Sequence, residues 1–154
     1  MDMKHWKSYL FWIALSEGVG ALAGWLTRDG VKQFSQMVTQ PPLSPPAWVF
    51  PVVWGILYAL MGIGAAQIWN TKEKTGLNLF LTQLTVNFFW PLLFFNTKAY
   101  GFSAIWLGLL WSLVLGMILS FRGSDRKAAW LQTPYLLWLT FALYLNLAVW
   151  QLNP

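Results

Sequence analysis

The side chains that carry most enzyme chemistry are scarce in this sequence. Its 154 residues include a single histidine, His5, and no cysteine. Because His5 precedes the apolar segments, neither a Ser-His-Asp triad nor a histidine-ligated zinc or haem iron is expected. The sequence also contains no glycine-rich phosphate loop. We therefore predict no metal site and no bound cofactor.

Glu17 is the only acidic residue inside an apolar segment. An ionisable side chain within a membrane is a functional candidate by default. The alternative is a protonated glutamate that is hydrogen-bonded to another helix. The sequence favours this alternative, because no basic residue occurs at a matching depth.

Tryptophan is the most unusual component, with 12 residues. Six of them lie at or near the ends of apolar segments, where indoles anchor a protein to the membrane interface. These six are predicted to form an aromatic belt: Trp12, Trp25, Trp48, Trp69, Trp130 and Trp150.

Two interior tryptophans and one asparagine share a depth. At about 1.5 Å rise per residue, Trp54, Asn87 and Trp90 lie roughly 8–12 Å below the outer ends of their segments. Asn87 supplies a hydrogen-bonding group in otherwise apolar surroundings. All three residues are candidates for the wall of one pocket.

The last apolar segment offers a complementary face. Trp138 lies near mid-membrane, and Ala142 and Leu145 stand above it on the same helix face. A small residue above a large aromatic leaves room, and Pro91 and Pro134 interrupt backbone bonding, as kinked cavity walls do. These residues predict an apolar, aromatic-lined pocket that opens toward the outer side. Ordinary helix packing is the alternative and stays open.

The composition of the chain indicates a membrane protein. Hydrophobic residues make up 57% of the chain and charged residues 10%, whereas soluble domains carry about 25% charged residues. A spanning helix needs about 20 mostly apolar residues. The predicted fold class is an all-α membrane protein, a single domain (1–154) built as a bundle of five transmembrane helices. Their segments are Tyr9–Leu26, Ala47–Trp69, Leu77–Phe95, Tyr100–Phe121 and Ala128–Trp150.

The first connection, Thr27–Pro46, is much longer than the others and ends in QPPLSPP. Its prolines stiffen the chain and are expected to prevent helix until Ala47. Loops of this length in compact domains are often functional lids. We predict a lid at the outer side, with a simple spacer as the alternative.

The net charge of +5 comes from basic residues in short loops. This pattern predicts contact with lipid headgroups and not with nucleic acid. Seven basic residues lie on one side of the predicted bundle and three on the other, so the N-terminus is predicted to be cytoplasmic and the C-terminus outside. The seven are Lys4, Lys7, Lys72, Lys74, Arg122, Arg126 and Lys127, and the three are Arg28, Lys32 and Lys98.

Two apolar segments carry small residues at a spacing of four. Gly20 and Gly24 form one such face in the first segment, and Gly108, Ser112 and Gly116 form another in the fourth. Small residues let helix backbones approach closely in lipid. At least one of these faces is expected to pack against another helix.

The segment Pro41–Trp69 reads PPLSPPAWVFPVVWGILYALMGIGAAQIW. It resembles the signature of the translocator protein family, the TspO family of tryptophan-rich sensory proteins, also called peripheral benzodiazepine receptors. The resemblance extends over essentially the whole chain. Three further parts agree with it: NFFWP (Asn87–Pro91) with Phe94 and Phe95, Gly101 at the start of the fourth helix, and PYLLWLTFA (Pro134–Ala142) with Leu145 and Asn146.

The resemblance implies a bundle that binds tetrapyrroles, such as protoporphyrin IX and haem, and synthetic isoquinoline carboxamide and benzodiazepine-type ligands. It also implies light-dependent breakdown of protoporphyrin by two pocket tryptophans, which match Trp54 and Trp138. Asn87, Trp90 and Ala142 match other ligand-lining positions of the family. The expected ligand-binding set is therefore Trp54, Asn87, Trp90, Pro91, Trp138, Ala142 and Leu145.

Some positions depart from the family pattern. Leu147 and Gln151 occupy the positions of the tyrosine and arginine in the cholesterol-recognition stretch of animal members, so high-affinity sterol binding is left open. Asn78 and Thr82 stand where some members have small residues at a dimer face, so a homodimer is left open. Three functional classes remain: a receptor, sensor or transporter for tetrapyrroles, a light-dependent porphyrin-degrading enzyme, and a scaffold that regulates other membrane proteins.

Overall fold

A computed structural model describes residues 5–153, and the regular secondary structure of this part of the chain is entirely helical. Five of its helical segments are long and apolar enough to cross a membrane. The predicted fold class, a bundle of five transmembrane helices, is confirmed. The helices are α1 (Trp6–Leu26), α2 (Arg28–Met37), α3 (Val49–Trp69), α4 (Gly76–Pro91), α5 (Tyr100–Ser124), α6 (Arg126–Leu131) and α7 (Thr133–Leu152).

The short helix α2 corrects the prediction that the whole first connection is a loop. Its ten residues, Arg28–Met37, precede all the prolines of that connection, so no ring blocks the helix there. Asp29 lies in the first turn, where a negative charge favours the helix dipole. The next spanning helix, α3, begins at Val49, two residues later than predicted.

Both proline interruptions predicted from the sequence occur. Regular α-helix in the third span ends at Pro91 and continues as a wider π-helical turn, Leu92–Asn96. The fifth span is divided into α6 and α7, and Pro134 lies in the first turn of α7, where its missing N–H costs little. Asp125 caps α6 by accepting a hydrogen bond of 2.9 Å from the backbone N–H of Lys127.

The five spans form a closed ring. Following backbone contacts, α1 packs on α3, α3 packs on α6, the fifth span packs on α5, α5 packs on α4, and α4 returns to α1. Side chains from all five spans fill the centre, and the most buried include Met61, Phe80, Leu107, Val114 and Leu139. The ring therefore encloses one core that runs through the membrane.

The closest approach between spans involves α1 and α3. A side chain at Gly62 would collide with the backbone of Ile13, so only glycine fits there. Gly20 of α1 is covered by the ring of Tyr58 on α3, which confirms the prediction that one small-residue face packs against another helix. Gly24 has no neighbour within 4 Å.

Five of the six tryptophans predicted to form the aromatic belt are exposed at or near the ends of the spans. Trp12 is the exception, because it is buried and meets the ring of Phe80 edge to face at 5.6 Å. Two of these exposed indoles make cation–π contacts. Arg28 lies 4.6 Å from the Trp25 ring, and Lys74 lies 4.3 Å from the Trp69 ring.

Candidate functional site: an aromatic cluster between α3, α4 and α7

Two predicted site residues meet across the bundle. The Trp54 ring on α3 and the Trp138 ring on α7 lie 6.5 Å apart between centroids and are almost perpendicular, at 88°. Phe50 contacts the Trp138 ring at 5.9 Å, and Tyr135 contacts the Trp54 ring at 6.2 Å. Edge-to-face geometry of this kind is the favoured arrangement of aromatic pairs. We call these four residues, with Phe141, the aromatic cluster.

A chain of hydrogen bonds lies beside the cluster and joins three helices. The Tyr58 hydroxyl donates to Oδ1 of Asn87 at 2.5 Å, and Nδ2 of Asn87 donates to the Tyr135 oxygen at 2.6 Å. The Tyr135 hydroxyl donates in turn to Oε1 of Gln83 at 2.8 Å. We call Tyr58, Asn87, Tyr135 and Gln83 the polar ladder, and all four are buried.

The polar ladder forms the floor of the cluster. Tyr58 is four residues deeper than Trp54 on α3, about 6 Å, and Tyr135 is three residues deeper than Trp138 on α7, about 4.5 Å. A polar group without a partner in lipid costs several kcal/mol, so the bonds of the ladder explain how two amides are tolerated there. The predicted site residue Asn87 is thus linked to Trp54 through Tyr58 and Tyr135.

Trp90 belongs to a second group of rings, nearer the end of the bundle that is predicted to be outer. Its indole N–H donates to Oδ1 of Asn146 at 3.0 Å, and its ring stacks on Phe94 at 5.1 Å. Nδ2 of Asn146 donates to the carbonyl of Tyr100, which ties α7 to the start of α5. Ala142 is buried one turn below Asn146 on α7, between the two groups.

The remaining two predicted site residues flank these groups. Pro91 follows Trp90 at the end of α4, and Leu145 precedes Asn146 on α7. Both are partly buried. The seven predicted residues lie on α3, α4 and α7, and Trp54 and Trp138 are the two whose rings are in contact.

Residues 27–46 fold over the helix ends that are predicted to be on the outer side, and we call them the outer cap. Phe34 of α2 packs on Phe94 and Phe95, with ring centroids 5.3 Å apart in both pairs. Gly30 of the same helix lies so close to the backbone of Phe95 that a larger residue would collide with it. The cap is thus packed directly on the π-helical turn.

Hydrogen bonds hold the outer cap to the end of α7. The backbone N–H of Thr39 donates to Oδ1 of Asn153 at 3.1 Å, and Nδ2 of Asn153 donates back to the Thr39 carbonyl at 2.9 Å. The Tyr144 hydroxyl donates to the carbonyl of Pro42 at 2.9 Å. These bonds close the outer side of the bundle above the aromatic cluster.

The grooves of the bundle lie on its sides. One of about 430 Å³ runs between α3 and α7, and one of about 410 Å³ runs between α5 and α7. Trp138 lines the first, and none of the other six predicted site residues lines either groove. The groove that reaches Trp138 opens on the side of the bundle, between α3 and α7, whereas the pocket predicted from the sequence opens toward the outer side.

The indole N–H of Trp138 differs from its counterparts. It is buried and has no hydrogen-bond partner. The N–H groups of Trp90, Trp106 and Trp111 all donate, to Asn146, the Val86 carbonyl and Thr140. A buried indole N–H normally has a partner, so the one on Trp138 is a donor of this site that is available to a ligand.

Glu17 does not make the interhelical hydrogen bond expected from the sequence. It is partly exposed, and its carboxyl group has no hydrogen bond to any described residue. Among residues 5–153, no group of three histidine, aspartate or glutamate side chains is placed to hold a metal ion. The chemistry of the site therefore rests on indoles, phenols and amides.

The sequence profile of the TspO/MBR family matches residues 12–151. The chain belongs to the TspO/MBR family. Its TspO/MBR relatives include the tryptophan-rich protein TspO of Chlorobaculum tepidum, 33% identical over 92% of this chain and 93% of the relative. The translocator protein of Bos taurus is 35% identical over 87% of this chain and 83% of the relative. The tryptophan-rich sensory protein of Cereibacter sphaeroides is 30% identical, with coverage of 96% and 92%.

Membership in the TspO/MBR family, together with five apolar spans, makes this an integral, multi-pass membrane protein. Sequence reasoning missed three of the four residues of the polar ladder: Tyr58, Tyr135 and Gln83. Each is a polar residue within an apolar segment, but the sequence analysis singled out only Asn87 on that ground. In TspO/MBR proteins, as in any membrane bundle, such residues are expected to face one another.

Proposed function

We propose that this protein is a membrane receptor, sensor or transporter that binds a flat tetrapyrrole, such as protoporphyrin IX, between α3 and α7. The observation that carries the proposal is the edge-to-face pair of Trp54 and Trp138, 6.5 Å apart. A large π-system gains about 0.5–1.5 kcal/mol per aromatic pair beyond area burial. A tetrapyrrole inserted there would part the two indoles and stack against both.

The surroundings suit a disc-shaped, apolar ligand. Ala142 is small and buried above Trp138, and Leu145 continues the same face. Trp90 and Pro91 form the wall nearer the outer end, and the polar ladder limits how deep a ligand can go. A pocket of this kind is mostly apolar with a few polar groups that fix orientation.

The names of its relatives support a role in moving or sensing a ligand, since they include a translocator protein and a tryptophan-rich sensory protein. Isoquinoline carboxamide and benzodiazepine-type compounds are flat aromatic molecules and would occupy the same cluster. Haem would be held through its ring and not through its iron, because the single histidine, His5, precedes the spans.

A second candidate function is light-dependent degradation of the bound porphyrin. It is favoured by the indole N–H of Trp138, which is buried and without a partner. An indole can give an electron to a photoexcited porphyrin, which oxidises the indole and reduces the porphyrin. Dioxygen takes that electron from the porphyrin and becomes superoxide. The superoxide adds to the pigment and the oxidised indole recovers an electron from it, so that dioxygen oxidises the pigment overall. No acid or base is required for the electron transfer.

A titration in the dark and in the light tests both candidates. Purified protein in detergent is titrated with protoporphyrin IX while tryptophan fluorescence and porphyrin absorbance are recorded, with protein-free micelles as background. Saturable quenching in the dark supports binding, whereas a linear change equal to that of the micelles contradicts it. A new oxidised pigment that forms only under light supports the second candidate.

A further inference from the structure

The backbones of the second and fifth spans of the ring, α3 and α6–α7, approach each other closely at one end only. Nε2 of Gln132, between α6 and α7, donates to the carbonyl of Leu60 on α3 at 3.1 Å. The Gln132 amide also lies directly on Gly64, where any side chain would collide with it. Backbone packing joins α3 to α6 but is sparse between α3 and α7 within residues 5–153. The two spans therefore separate from Gln132 toward the outer side.

The space between them is the groove of about 430 Å³. Ile56 and Leu57 of α3 and Leu137 and Phe141 of α7 line it, and Trp138 closes its inner side. Ile56 and Leu137 are exposed, which at this depth means exposed to lipid. A groove with such a lining receives apolar molecules from the hydrocarbon region of the bilayer.

Trp138 is a wall shared by the groove and the aromatic cluster. On one side it lines the groove, and on the other it meets Trp54 and Phe50. The contacts that bridge α3 and α7 here are made by aromatic side chains. A rotation of the Trp138 ring, or a small outward movement of α7, would connect the groove with the space next to Trp54.

The fifth span is built so that α7 can move without α6. Regular helix is interrupted at Gln132, and Pro134 has no N–H to donate to the carbonyl of Trp130. Asp125 and the contact of Gln132 with Leu60 keep the inner part in place. Bending in helices is concentrated at such proline positions.

The alternative route, through the outer cap, is closed by specific bonds. Thr39 and Asn153 exchange two hydrogen bonds, and Nδ2 of Asn96 donates to the carbonyl of Leu26 at 3.1 Å. Phe34 adds packing on the π-helical turn. A molecule that arrives from water would have to break these contacts, whereas one dissolved in lipid meets only side chains.

We propose that Trp138 and the groove between α3 and α7 form a lateral entrance through which a flat, apolar tetrapyrrole passes from the bilayer to the cluster around Trp54. This rests on the proposed function, since it supplies the route to that site. The occupant is a ligand already partitioned into lipid. The groove lining, its exposure to hydrocarbon and its continuity with the aromatic cluster favour this occupant.

Because the sequence contains no cysteine, pairs of introduced cysteines can be crosslinked specifically to test the two routes. The first double variant, which we call the seam lock, carries Ile56→Cys and Leu137→Cys. The two cysteines are joined by a short, membrane-permeant bis-methanethiosulfonate reagent, which forms disulfides that can be reduced. The second double variant, which we call the lid lock because it fixes the outer cap to the π-helical turn, carries Phe34→Cys and Phe95→Cys, joined by the same reagent. Each is reconstituted and mixed with liposomes loaded with protoporphyrin IX, and the rate of tryptophan quenching is measured before and after reduction.

We expect the seam lock to slow uptake by about tenfold or more and the lid lock to leave the rate within about twofold. Reduction of the link should restore the seam-locked rate. Slow uptake with the lid lock and normal uptake with the seam lock would overturn the lateral entrance. A groove-filling variant, Ile56→Trp, checks the result without a crosslink, and Ile105→Trp on the exposed face of α5 is its control.

Equilibrium binding separates this proposal from the proposed function. Saturable binding by the uncrosslinked protein, combined with uptake that the seam lock does not affect, overturns the entrance alone. Absence of saturable binding by the uncrosslinked protein removes the proposed function and the entrance with it.

Discussion

The Tyr58 hydroxyl and the Asn87 side chain form a hydrogen bond of 2.5 Å that joins α3 to α4 beneath the aromatic cluster. Asn87 also donates to Tyr135 at 2.6 Å, so one amide connects three helices. Lipid supplies no replacement partner for these groups. The floor of the candidate site is therefore held by polar bonds and not by shape alone.

Loss of the Asn87 side chain is expected to destabilise the bundle more than loss of the Tyr58 hydroxyl. Tyr58→Phe removes one interhelical bond, worth about 0.6–1.7 kcal/mol in membrane bundles, and Asn87→Ala removes two. The measurement is thermal unfolding in detergent. Thr85→Ala is the control, because its hydroxyl bonds only to the Leu81 carbonyl of its own helix. Equal unfolding temperatures for Asn87→Ala and Thr85→Ala would contradict the role of the ladder.

Replacement of the two indoles should separate binding from photochemistry. Trp54→Phe and Trp138→Phe keep an aromatic surface but remove the group that donates an electron. We expect both variants to bind protoporphyrin IX almost normally and to lose light-dependent bleaching. Binding and bleaching are to be measured on the same samples. Wild-type bleaching by the double variant would leave only a binding pocket.

A larger residue at Ala142 is expected to weaken tetrapyrrole binding. Ala142→Leu adds bulk to a buried position above Trp138, and overpacking typically costs about 1–3 kcal/mol. The dissociation constant should rise by roughly five- to more than a hundredfold. Ala21→Leu, at an exposed position of α1, is the matched control. Unchanged affinity of Ala142→Leu would show that the ligand lies elsewhere.

Even a single added methyl group at Gly62 is expected to separate α1 from α3. It would collide with the backbone of Ile13, which cannot rotate away as a side chain can. Gly18→Ala has no neighbour within 4 Å and should be neutral, or stabilising by about 0.5–1 kcal/mol, because alanine favours helix. The measurement is the unfolding temperature of both variants in detergent. If Gly62→Ala unfolds at the same temperature as Gly18→Ala, the close approach of α1 and α3 is not required for stability.

The orientation in the membrane is expected to follow the basic residues, with the N-terminus cytoplasmic. Lys4, one of the seven on that side, lies outside the described residues. A reporter that is active only in the cytoplasm should give signal at the N-terminus and none at the C-terminus. A flexible linker after Pro154 keeps the reporter away from the contact between Asn153 and the outer cap. Signal at the C-terminus would reverse the orientation.

The spans could be predicted because apolar runs of about 20 residues have few alternatives. Helix α2 could not be found by the same signal, since it is short and polar. Its pattern was nevertheless present: Val31, Phe34 and Val38 recur at the spacing of one helix face. Phe34 is the residue of this face that packs on the π-helical turn.

The candidate site was only partly predictable. Depth counting and the family resemblance found Trp54 and Trp138, which the structure brings into contact. The polar partners of Asn87 were missed, because spacing within a segment does not say which face of another segment it meets. The sideways groove depends on how far α3 and α7 diverge, and this is set by packing at Gln132.

The polar ladder has a consequence for the biogenesis of the chain. Of the five spans, the third has one of the two lowest mean hydropathies, 1.3 against 2.1 for the fourth, and it carries the two ladder amides, Gln83 and Asn87. Tyr58 is synthesised before them, but Tyr135 belongs to the last span to leave the ribosome. Until α7 is made, the third span therefore lies in the bilayer, or at the insertion machinery, with some of its side-chain hydrogen-bonding groups unpaired. Truncation before α7 would leave Gln83 without the Tyr135 hydroxyl and Asn87 with Tyr58 as its remaining partner, so the fifth span completes the hydrogen bonding of a helix made earlier.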